Sequence, residues 1–378
     1  MERIRLSFYT NIPTPYQQDF FEALAVYFDL TVVYYAKTEL DRQWSINSKS
    51  GSYKVYYLTD TVIARWIQKR FKDYHYSWSI IRRLVEDRSD YIIISGAYWI
   101  PNTILALFLL RIRGKPIAFF GERLTSSNSK IKNYLKRITL LPVKWNCRRL
   151  LAGGKEAVTT YNSYGITLPF SVIPYNIDIS RFNKYNLNGE RLEKLRTTYK
   201  IDNQFILLSS GSLISRKNMD IIIKSVKNSL VSVCLLIIGE GNERQRLEKL
   251  IENDSRIRLI GFIQADELPY YYNLADAFVF ASQYDGWGVV INEAIAAGLP
   301  IICSDKVGAA REWVIDGVNG FICPANGVTE FQVAIEKLVS CSDLVKEQSF
   351  YNQTFRNSTS SAYYAEIVNE VIKHDLRV

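Results

Sequence analysis

The segment 276–305 constrains the fold of this chain more than any other part of the sequence. It consists of an apolar run, a loop, a helix-like stretch and a second apolar run, at 277–281, 282–288, 289–297 and 301–303. A short apolar run between turn residues is typical of a buried parallel strand. Gly298 and Pro300 stand in the order expected at a helix end. The segment therefore predicts a strand, a loop, a helix and a second strand of a parallel sheet.

The predicted loop leads to the carboxyl edge of that sheet, which is where open α/β sheets bind ligands. Gly286 and Gly288, on either side of Trp287, let backbone amides approach a ligand closely. The amides of Val289 and Val290 lie in the first helical turn, where they have no intrahelical acceptor. A phosphate group fits such a helix N-terminus.

Two carboxylates flank this predicted phosphate site. Asp285 precedes the helix, and Glu293 lies inside it. A carboxylate cannot help to bind phosphate, because the two charges repel each other. We therefore expect Asp285 and Glu293 to face neutral, hydroxylated groups, such as those of a sugar and a ribose.

The rest of the chain alternates between predicted strands and helices in two blocks of similar size. This alternation predicts an α/β protein with two doubly wound domains that face each other across a cleft. The stretch 183–202 is polar and charged, so we place the domain boundary there. The expected domains are 1–185 and 186–358, with a C-terminal helix in 359–378.

Composition limits the class of protein. The chain has 378 residues and 48% hydrophobic residues, enough for a core in each of two domains. No apolar run reaches membrane-spanning length, and we expect no cleavable signal before the first strand at Ile4. The five cysteines have no CxxC spacing, which favours free thiols in a reducing cytosol. With two histidines and no Asp-x-Asp at a strand end, we expect no metal site.

The net charge of +9 indicates an anionic partner. Nucleic acid, a membrane surface and a phosphate-bearing ligand all agree with this charge. The segments 64–83 and 130–150 mix Lys and Arg with Trp, Tyr, Leu and Ile. That composition suits an interfacial helix on an anionic bilayer, and it equally suits a solvated basic face.

These motifs together resemble the retaining glycosyltransferases of family four, also called glycosyl transferases group 1, of the bacterial surface-polysaccharide type. The donor motif of that family has two acids separated by seven residues, a Gly-rich turn and an E-A-x-x-x-G-x-P tail. This chain matches it with Asp285, Glu293 and the tail residues Ala294, Gly298 and Pro300. The first acid is usually Glu in the family and is Asp here. The turn 11–16, the segment 41–44 and the crossover 172–178 resemble the family as well.

The resemblance implies the GT-B fold, two Rossmann-like domains with a C-terminal helix that crosses back to the first. It implies a nucleotide diphosphate sugar as donor and no metal or other cofactor. Arg216 and Lys217 match the Arg/Lys pair that binds the diphosphate. By the same resemblance, Glu293 holds the ribose hydroxyls and Asp285 those of the sugar.

Further donor-site residues follow from the same resemblance. Phe262 and Ile263 would meet the base through backbone groups. Ser212 replaces the commoner Arg of the family. The residues expected to border the donor pocket are Gly211, Ser212, Gly239, Gly241, Phe262, Ile263, Gly286, Trp287, Gly288, Val289 and Val290.

The acceptor is assigned to the N-terminal domain. Glu122, at the end of the strand 116–121, is a candidate polar or basic group at the reacting centre. His75 is expected at the surface. The acceptor cleft is assigned to Asn11, Pro13, Tyr16 and Tyr98.

Three functions agree with these patterns. The first is a metal-independent transferase that moves a sugar to a lipid-linked glycan at the cytoplasmic face of a membrane, in polysaccharide or lipopolysaccharide synthesis. The second is a soluble transferase acting on a free sugar or glucan. The third is a non-catalytic protein that binds an anionic ligand. No recognised nucleic-acid motif occurs, so we expect no nucleic-acid partner.

Overall fold

The computed structural model describes residues 3–37, 51–58, 66–67, 74, 76–124, 129–183, 186–201 and 204–377. The chain divides into two compact units. The first comprises the described residues up to Asn176 and from Ser361 onward, and the second comprises those of Ile177–Ser360.

The first unit contains a parallel sheet with the strand order β3-β2-β1-β4-β5-β6-β7. Its strands are β1 Arg5–Thr10, β2 Asp29–Tyr34, β3 Lys54–Tyr57, β4 Tyr91–Ser95, β5 Ile117–Gly121, β6 Arg149–Ala152 and β7 Phe170–Val172. Its helices are α1 Pro15–Ala25, α2 Ser79–Glu86, α3 Pro101–Ile112, α4 Lys130–Asn146 and α5 Lys155–Ser163.

The central strands of this sheet are apolar along almost their whole length. In β4, residues 91–94 are fully buried, and β5 is buried throughout. Strands buried on both faces read as continuous hydrophobic runs rather than as alternating patterns. This burial explains why the sequence alone predicts these strands.

The second unit contains a parallel sheet with the strand order β10-β9-β8-β11-β12-β13. Its strands are β8 Phe205–Ser210, β9 Val233–Ile238, β10 Ile257–Gly261, β11 Ala277–Phe280, β12 Ile301–Ser304 and β13 Gly320–Cys323. Its helices are α6 Gly189–Thr198, α7 Met219–Asn228, α8 Arg244–Ile251, α9 Leu268–Leu274, α10 Val289–Ala297, α11 Gly308–Trp313, α12 Val328–Ser340 and α13 Ser342–Phe355.

The strand order reverses once in each sheet. In the second unit, β8 pairs with β9 on one side and with β11 on the other. The loops that follow β8 and β11 therefore leave the same sheet edge in opposite directions. Such a topological switch point opens a crevice at the carboxyl ends of the strands, where ligands bind.

The C-terminal helix α14, Ser361–Arg377, belongs to the first unit and packs against α1. Asp375 accepts a hydrogen bond from Tyr91 Oη at 2.7 Å and pairs with Arg149 Nη2 at 2.5 Å. These contacts confirm the expected return of the C-terminal helix to the first unit, and the two sheets confirm the expected α/β architecture.

The first division between the units, at 176/177, falls earlier than the predicted 185/186, and the second, at 360/361, falls two residues later than the predicted 358/359. Residues Ile179–Phe182 form a 3-10 turn that packs against α9 and α10, so they belong to the second unit. Asn273 donates a hydrogen bond to the carbonyl of Phe182 at 2.9 Å within the same contact. The polar stretch near 190 contains the helix α6 rather than a linker.

No helix in the described part of the chain is long and apolar enough to cross a bilayer.

Candidate functional site

The loops after β8 and β11 meet at the switch point of the second unit. Lys217 Nζ lies 2.5 Å from Asp285 Oδ2, and Arg216 Nη1 lies 3.7 Å from the same oxygen. The Arg216 guanidinium also donates to the carbonyl of Tyr284. Two cations and one carboxylate therefore share one small region at the sheet edge. Its formal charge of about +1 favours an anionic ligand.

The Lys217 side chain lies against an aromatic ring. Its ammonium group stands 4.7 Å from the ring centroid of Phe280, and its side chain is mostly buried. A cation over an aromatic face is stabilised electrostatically. Arg216 is more exposed, and its side chain reaches the surface. The pair thus offers one mostly buried cation and one more exposed cation.

Asn218 holds the basic pair in place. Its φ of 52° lies in the left-handed region, which Asn adopts more readily than most residues. Its Nδ2 donates to the carbonyl of Ala325 at 3.0 Å, and its Oδ1 accepts from Gln283 Nε2 at 2.8 Å. The sequence predicted no role for Asn218, although its position directly after Arg216-Lys217 was the available signal.

The helix α10 begins at the same place. Gly288 has a φ of 87°, and a Cβ placed on it would lie 2.7 Å from Val307 Cγ1. Glycine is therefore required there both by conformation and by space. Val289 and Val290 follow in the first turn and are partly exposed. Their amides lie in the first turn, where the helix itself supplies no acceptor.

Trp287 is more deeply buried than its neighbour Gly286. Its side chain is buried and packs edge-on against Trp313, with ring centroids 5.0 Å apart. Its Nε1 donates to Asn292 Oδ1 at 2.9 Å. The Trp287 side chain thus anchors the loop in the core, while Gly286 before it is partly exposed.

Glu293 lies in α10 and is partly buried. It accepts a hydrogen bond from Tyr272 Oη at 2.6 Å. Tyr272 is fully buried, and this burial together with the Glu293 charge holds its pKa well above the usual value, so it stays a donor. Tyr272 therefore orients the carboxylate, a role that the sequence analysis missed because the two residues belong to different helices.

The glycines after β8 and β9 bring two backbones into contact. A Cβ on Gly239 would lie 2.0 Å from the carbonyl oxygen of Gly211, and one on Gly241 would lie 2.2 Å from that of Leu213. Gly211 N donates to the carbonyl of Ile238 at 2.9 Å. Any side chain at Gly239 or Gly241 would force the two loops apart.

The remaining predicted donor residues lie at the outer part of this edge. Ser212 and Phe262 are exposed, and Ile263 is partly exposed. Phe262 follows Gly261, whose φ is 92°. The neighbouring Glu240 pairs with Arg244 at 2.5 Å, which gives this carboxylate a structural partner.

In the first unit, Glu122 follows β5 and is exposed. Tyr175 Oη donates a hydrogen bond to its Oε1. Tyr16 packs edge-on against Tyr175, with ring centroids 5.1 Å apart. The structure thus brings together the predicted residues Glu122 and Tyr16, and it does so through Tyr175, to which the sequence analysis assigned no role.

Asn11 and Tyr98 make other contacts in the first unit. A Cβ on Gly96 would lie 2.4 Å from Asn11 Oδ1, so Asn11 covers the end of β4. Pro13 is buried in the turn that follows. Tyr98 packs against the core of the first unit, and burial raises its pKa to about 12. His75 and the segment 41–44 lie outside the described residues.

Comparison with known proteins gives a partial family match. The family described as "Glycosyl transferases group 1" matches residues 192–355. This region contains the cluster of Arg216, Lys217 and Asp285 as well as Glu293. The match spans less than half of the chain, so it shows that this region is similar to that family.

Curated relatives are similar over part of their length. A GDP-mannose-dependent alpha-(1-6)-phosphatidylinositol monomannoside mannosyltransferase of Mycobacterium tuberculosis is 25% identical over 53% of this chain and 57% of its own. An alpha-monoglucosyldiacylglycerol synthase of Acholeplasma laidlawii is 31% identical over 42% of this chain and 41% of its own. The chain thus spans about half the length of the curated relatives it matches.

Solved structures are similar over the whole chain. The crystal structure of Alr3699/HepE from Anabaena in complex with UDP has a TM-score of 0.81, at 16% identity. The similarity covers 98% of this chain and all of that one. At this identity the likeness establishes the fold. The chain has the GT-B fold, as expected, with two Rossmann-like units.

Proposed function

We propose that this chain is a retaining glycosyltransferase that moves a sugar from a nucleotide diphosphate sugar to a lipid-linked glycan. The observation that carries the proposal is the contact of Lys217 and Arg216 with Asp285 beside the N-terminus of α10. The family match over residues 192–355 and the UDP in the crystal structure of Alr3699/HepE support a nucleotide-sugar donor.

The main electrostatic task is to stabilise the departing diphosphate. Negative charge develops on the leaving group, and preorganised cations and amides lower the barrier most effectively at that point. Arg216 can bind phosphate through its fork of N–H donors, and Lys217 acts as a point charge. The first-turn amides of Val289 and Val290 add two neutral donors.

Asp285 serves a second purpose in this proposal. Without donor, it neutralises Lys217 at 2.5 Å. When the diphosphate arrives, Lys217 turns to the phosphate oxygens, and Asp285 accepts hydrogen bonds from the hydroxyls of the transferred sugar. Glu293, held by Tyr272, accepts hydrogen bonds from the ribose hydroxyls.

The chemical step keeps the anomeric configuration. The acceptor hydroxyl oxygen bonds to the anomeric carbon on the face from which the diphosphate leaves, and the carbon–oxygen bond to the β-phosphate breaks. The acceptor proton passes to the departing phosphate oxygen. Glu122 remains our candidate for a polar group on the acceptor side. Because two side-chain cations serve the diphosphate, we propose that no metal is required, and EDTA should leave turnover unchanged.

Two observations support a lipid-linked acceptor. The names of both curated relatives given above include a lipid, phosphatidylinositol monomannoside or a glucosyldiacylglycerol.

In addition, α4 exposes apolar side chains, with Ile131 72% and Tyr134 65% exposed. Its surface, called here the α4 surface, also carries the basic residues Lys130, Lys132, Lys136, Arg137 and Lys144. Apolar side chains mixed with cations are typical of helices that lie on anionic bilayers. We place the protein in the cytoplasm, in peripheral contact with the inner face of the membrane.

A thermal-shift screen of UDP-, GDP- and ADP-sugars tests the proposal. We expect one donor to raise the melting temperature of the wild type and to have no effect on the Lys217→Ala variant. Product analysis with that donor and an isolated lipid-linked acceptor then gives the anomeric configuration. Inversion at the anomeric carbon, or equal donor binding by the variant, would overturn the proposal. Transfer to a free sugar without lipid would favour the soluble alternative.

A further inference from the structure

The ring of Phe280, the last residue of β11, lies between two glycine turns of the candidate site. A Cβ placed on Gly211 would lie 3.6 Å from Phe280 Cε2, and one placed on Gly288 would lie 3.7 Å from Phe280 Cε1. These two carbons are on opposite edges of the ring, so the ring spans the space from the loop after β8 to the start of α10. Phe280 is fully buried. Its ring therefore forms a floor under the sheet edge where we propose that the diphosphate binds.

The Lys217 side chain lies on this floor. Its Nζ is 4.7 Å from the centroid of the Phe280 ring, and its Cδ would be 3.8 Å from a Cβ on Gly211. Asp285 reaches the same place from the other loop, because its Cγ would be 3.7 Å from a Cβ on Gly288. The ring thus lies under the ammonium group at the point where the two glycine turns approach each other.

Two further rings hold Phe280 in place. Phe278, two residues earlier in β11, stacks on it with centroids 6.3 Å apart and ring planes 28° apart. Tyr272 from α9 stacks on Phe278 with centroids 5.4 Å apart. Tyr272 is also the side chain that donates to Glu293. One row of stacked rings therefore supports Lys217 at one end and the Glu293 carboxylate at the other.

An aromatic ring holds a cation differently from a carboxylate. The negative face of the ring attracts the ammonium group electrostatically, but it carries no net charge that a phosphate would have to displace. Asp285 carries such a charge, and its pair with Lys217 at 2.5 Å must break when a diphosphate binds. The contact with Phe280 can last through that exchange, because the ring does not compete with the phosphate for the positive charge.

We infer that Phe280 is a positioning residue for the donor diphosphate. Its ring keeps Lys217 Nζ between the two glycine turns while Lys217 exchanges Asp285 for the phosphate oxygens. This inference rests on the proposed function, because it assigns Phe280 a role in donor binding. An aliphatic side chain at position 280 fills the core but has no negative face, so the role requires an aromatic residue.

A double-mutant cycle tests whether Phe280 acts through Lys217. Phe280→Leu should lower kcat/KM for the donor about three- to thirtyfold, the effect of losing one mostly buried cation–π contact. In the Lys217→Met background, the same change should lower kcat/KM by no more than about twofold. Losses that add in the double variant would mean that Phe280 only fills the core, and they would overturn the inference.

A fluorinated ring separates the electrostatic role from packing. Trifluorinated phenylalanine at position 280 keeps the ring but withdraws electron density from its face, so kcat/KM should fall toward that of Phe280→Leu. The matched control places the same residue at position 321, since the Phe321 ring lies 5.0 Å from Lys337 Nζ in another cation–π pair of the second unit. The control should keep wild-type kcat/KM. Wild-type kcat/KM with the fluorinated ring at position 280 would contradict the inference.

NMR on the full chain with carbon-13 at the lysine ε-carbons follows Lys217 without turnover. The ring current of Phe280 should shift the Lys217 Hε signal upfield, and Lys217→Met identifies that signal by its loss. Adding the nucleoside diphosphate of the donor found in the screen should leave the upfield shift in place. A signal that returns to the unshifted position with nucleotide, or that is the same in Phe280→Leu, would overturn the inference.

The wild type separates this inference from the proposed function. If the wild type turns over donor but the losses in the cycle add, only the role of Phe280 fails. If the wild type binds no donor in the thermal-shift screen, the transferase proposal fails, and the role of Phe280 toward a diphosphate fails with it.

Discussion

Lys217 Nζ and Asp285 Oδ2 lie 2.5 Å apart, although 68 positions separate the two residues in the chain. Both side chains are mostly buried, so the pair is shielded from bulk water. In the proposed function, this ion pair keeps Lys217 oriented before the donor binds, and it must be broken when the diphosphate takes the place of Asp285.

The first prediction concerns the cation. Lys217→Met keeps much of the apolar stem but removes the charge that would stabilise the departing diphosphate. We expect kcat to fall by about 10²- to 10³-fold, the usual effect of removing one preorganised group at a developing charge. The measurement is initial-rate kinetics with the donor found in the screen.

Lys306→Met is a suitable control, because Lys306 is exposed and pairs with Asp305 in the loop after β12. It should retain wild-type turnover. Equal losses in the two variants would mean that general positive charge, rather than the position of Lys217, matters.

The second prediction concerns the close backbone contact between the loops after β8 and β9. A Cβ on Gly241 would lie 2.2 Å from the carbonyl oxygen of Leu213. Gly241→Ala must therefore move the loops after β8 and β9 apart, and we expect a loss of about 1–3 kcal/mol in the free energy of unfolding. Gly189→Ala is the control, because nothing lies within 4 Å of its added Cβ. Urea denaturation of both variants checks this, and equal stability would contradict the packing.

The third prediction separates the left-handed backbone of Asn218 from its side-chain hydrogen bonds. Asn218→Gly keeps the left-handed backbone but loses two side-chain hydrogen bonds, the one donated to the Ala325 carbonyl and the one accepted from Gln283. Asn218→Ala loses the same bonds and adds a backbone cost of about 1 kcal/mol. We expect both variants to bind donor more weakly, and Asn218→Ala to be the less stable of the two. Donor titration together with thermal denaturation measures both effects, and wild-type affinity in Asn218→Gly would exclude a positioning role.

The fourth prediction concerns the buried ion pair that holds α14. Burial alone would raise the pKa of Asp375, but hydrogen bonds from Arg149 and Tyr91 outweigh it and lower the pKa. A carboxyl group with a lowered pKa stabilises the fold above its unfolded pKa of about 3.9, and this contribution is lost as the pH falls through the folded value. Asp375→Asn should cost about 3–5 kcal/mol near neutral pH, since it leaves Arg149 buried without a counter-charge.

The stability gap between wild type and Asp375→Asn should shrink as the pH falls below about 4. Lys373→Ala removes an exposed pair with Glu370 in the same helix and should cost less than about 1 kcal/mol. Urea titrations at several pH values test both statements. A gap that stayed constant down to pH 2 would contradict the role of ionisation.

The fifth prediction tests the α4 surface. Changing the exposed residues Lys130, Lys132 and Lys144 to Glu should weaken binding to vesicles containing anionic lipid at least about a hundredfold, at roughly 1 kcal/mol for each charge removed. Vesicle sedimentation measures this.

A second triple variant keeps the same change in net charge but places it on the second unit, at Lys194, Lys249 and Lys346. It should bind the vesicles nearly as well as the wild type. If both triple variants lose binding equally, the attraction depends on total charge and not on α4.

Local sequence patterns are enough to predict the individual strands, loops and helices of this protein. The apolar runs, the glycines at 286 and 288 and the Gly298-x-Pro300 ending predicted strand, loop and helix, because these signals depend on neighbouring residues. The same reasoning placed Arg216-Lys217 and Asp285 each in a loop after a strand. It did not place the Trp287 side chain in the core, since an aromatic residue in a glycine loop fits either environment.

Which of these strands, loops and helices come into contact depends on the tertiary structure. Lys217 reaches Asp285 because β8 and β11 are adjacent in the sheet, and Tyr175 reaches Glu122 because β7 and β5 end at the same edge. Glu293 finds Tyr272 from another helix in the same way. Strand order is set by the packing of the whole sheet, and so contacts between distant loops cannot be obtained from local patterns.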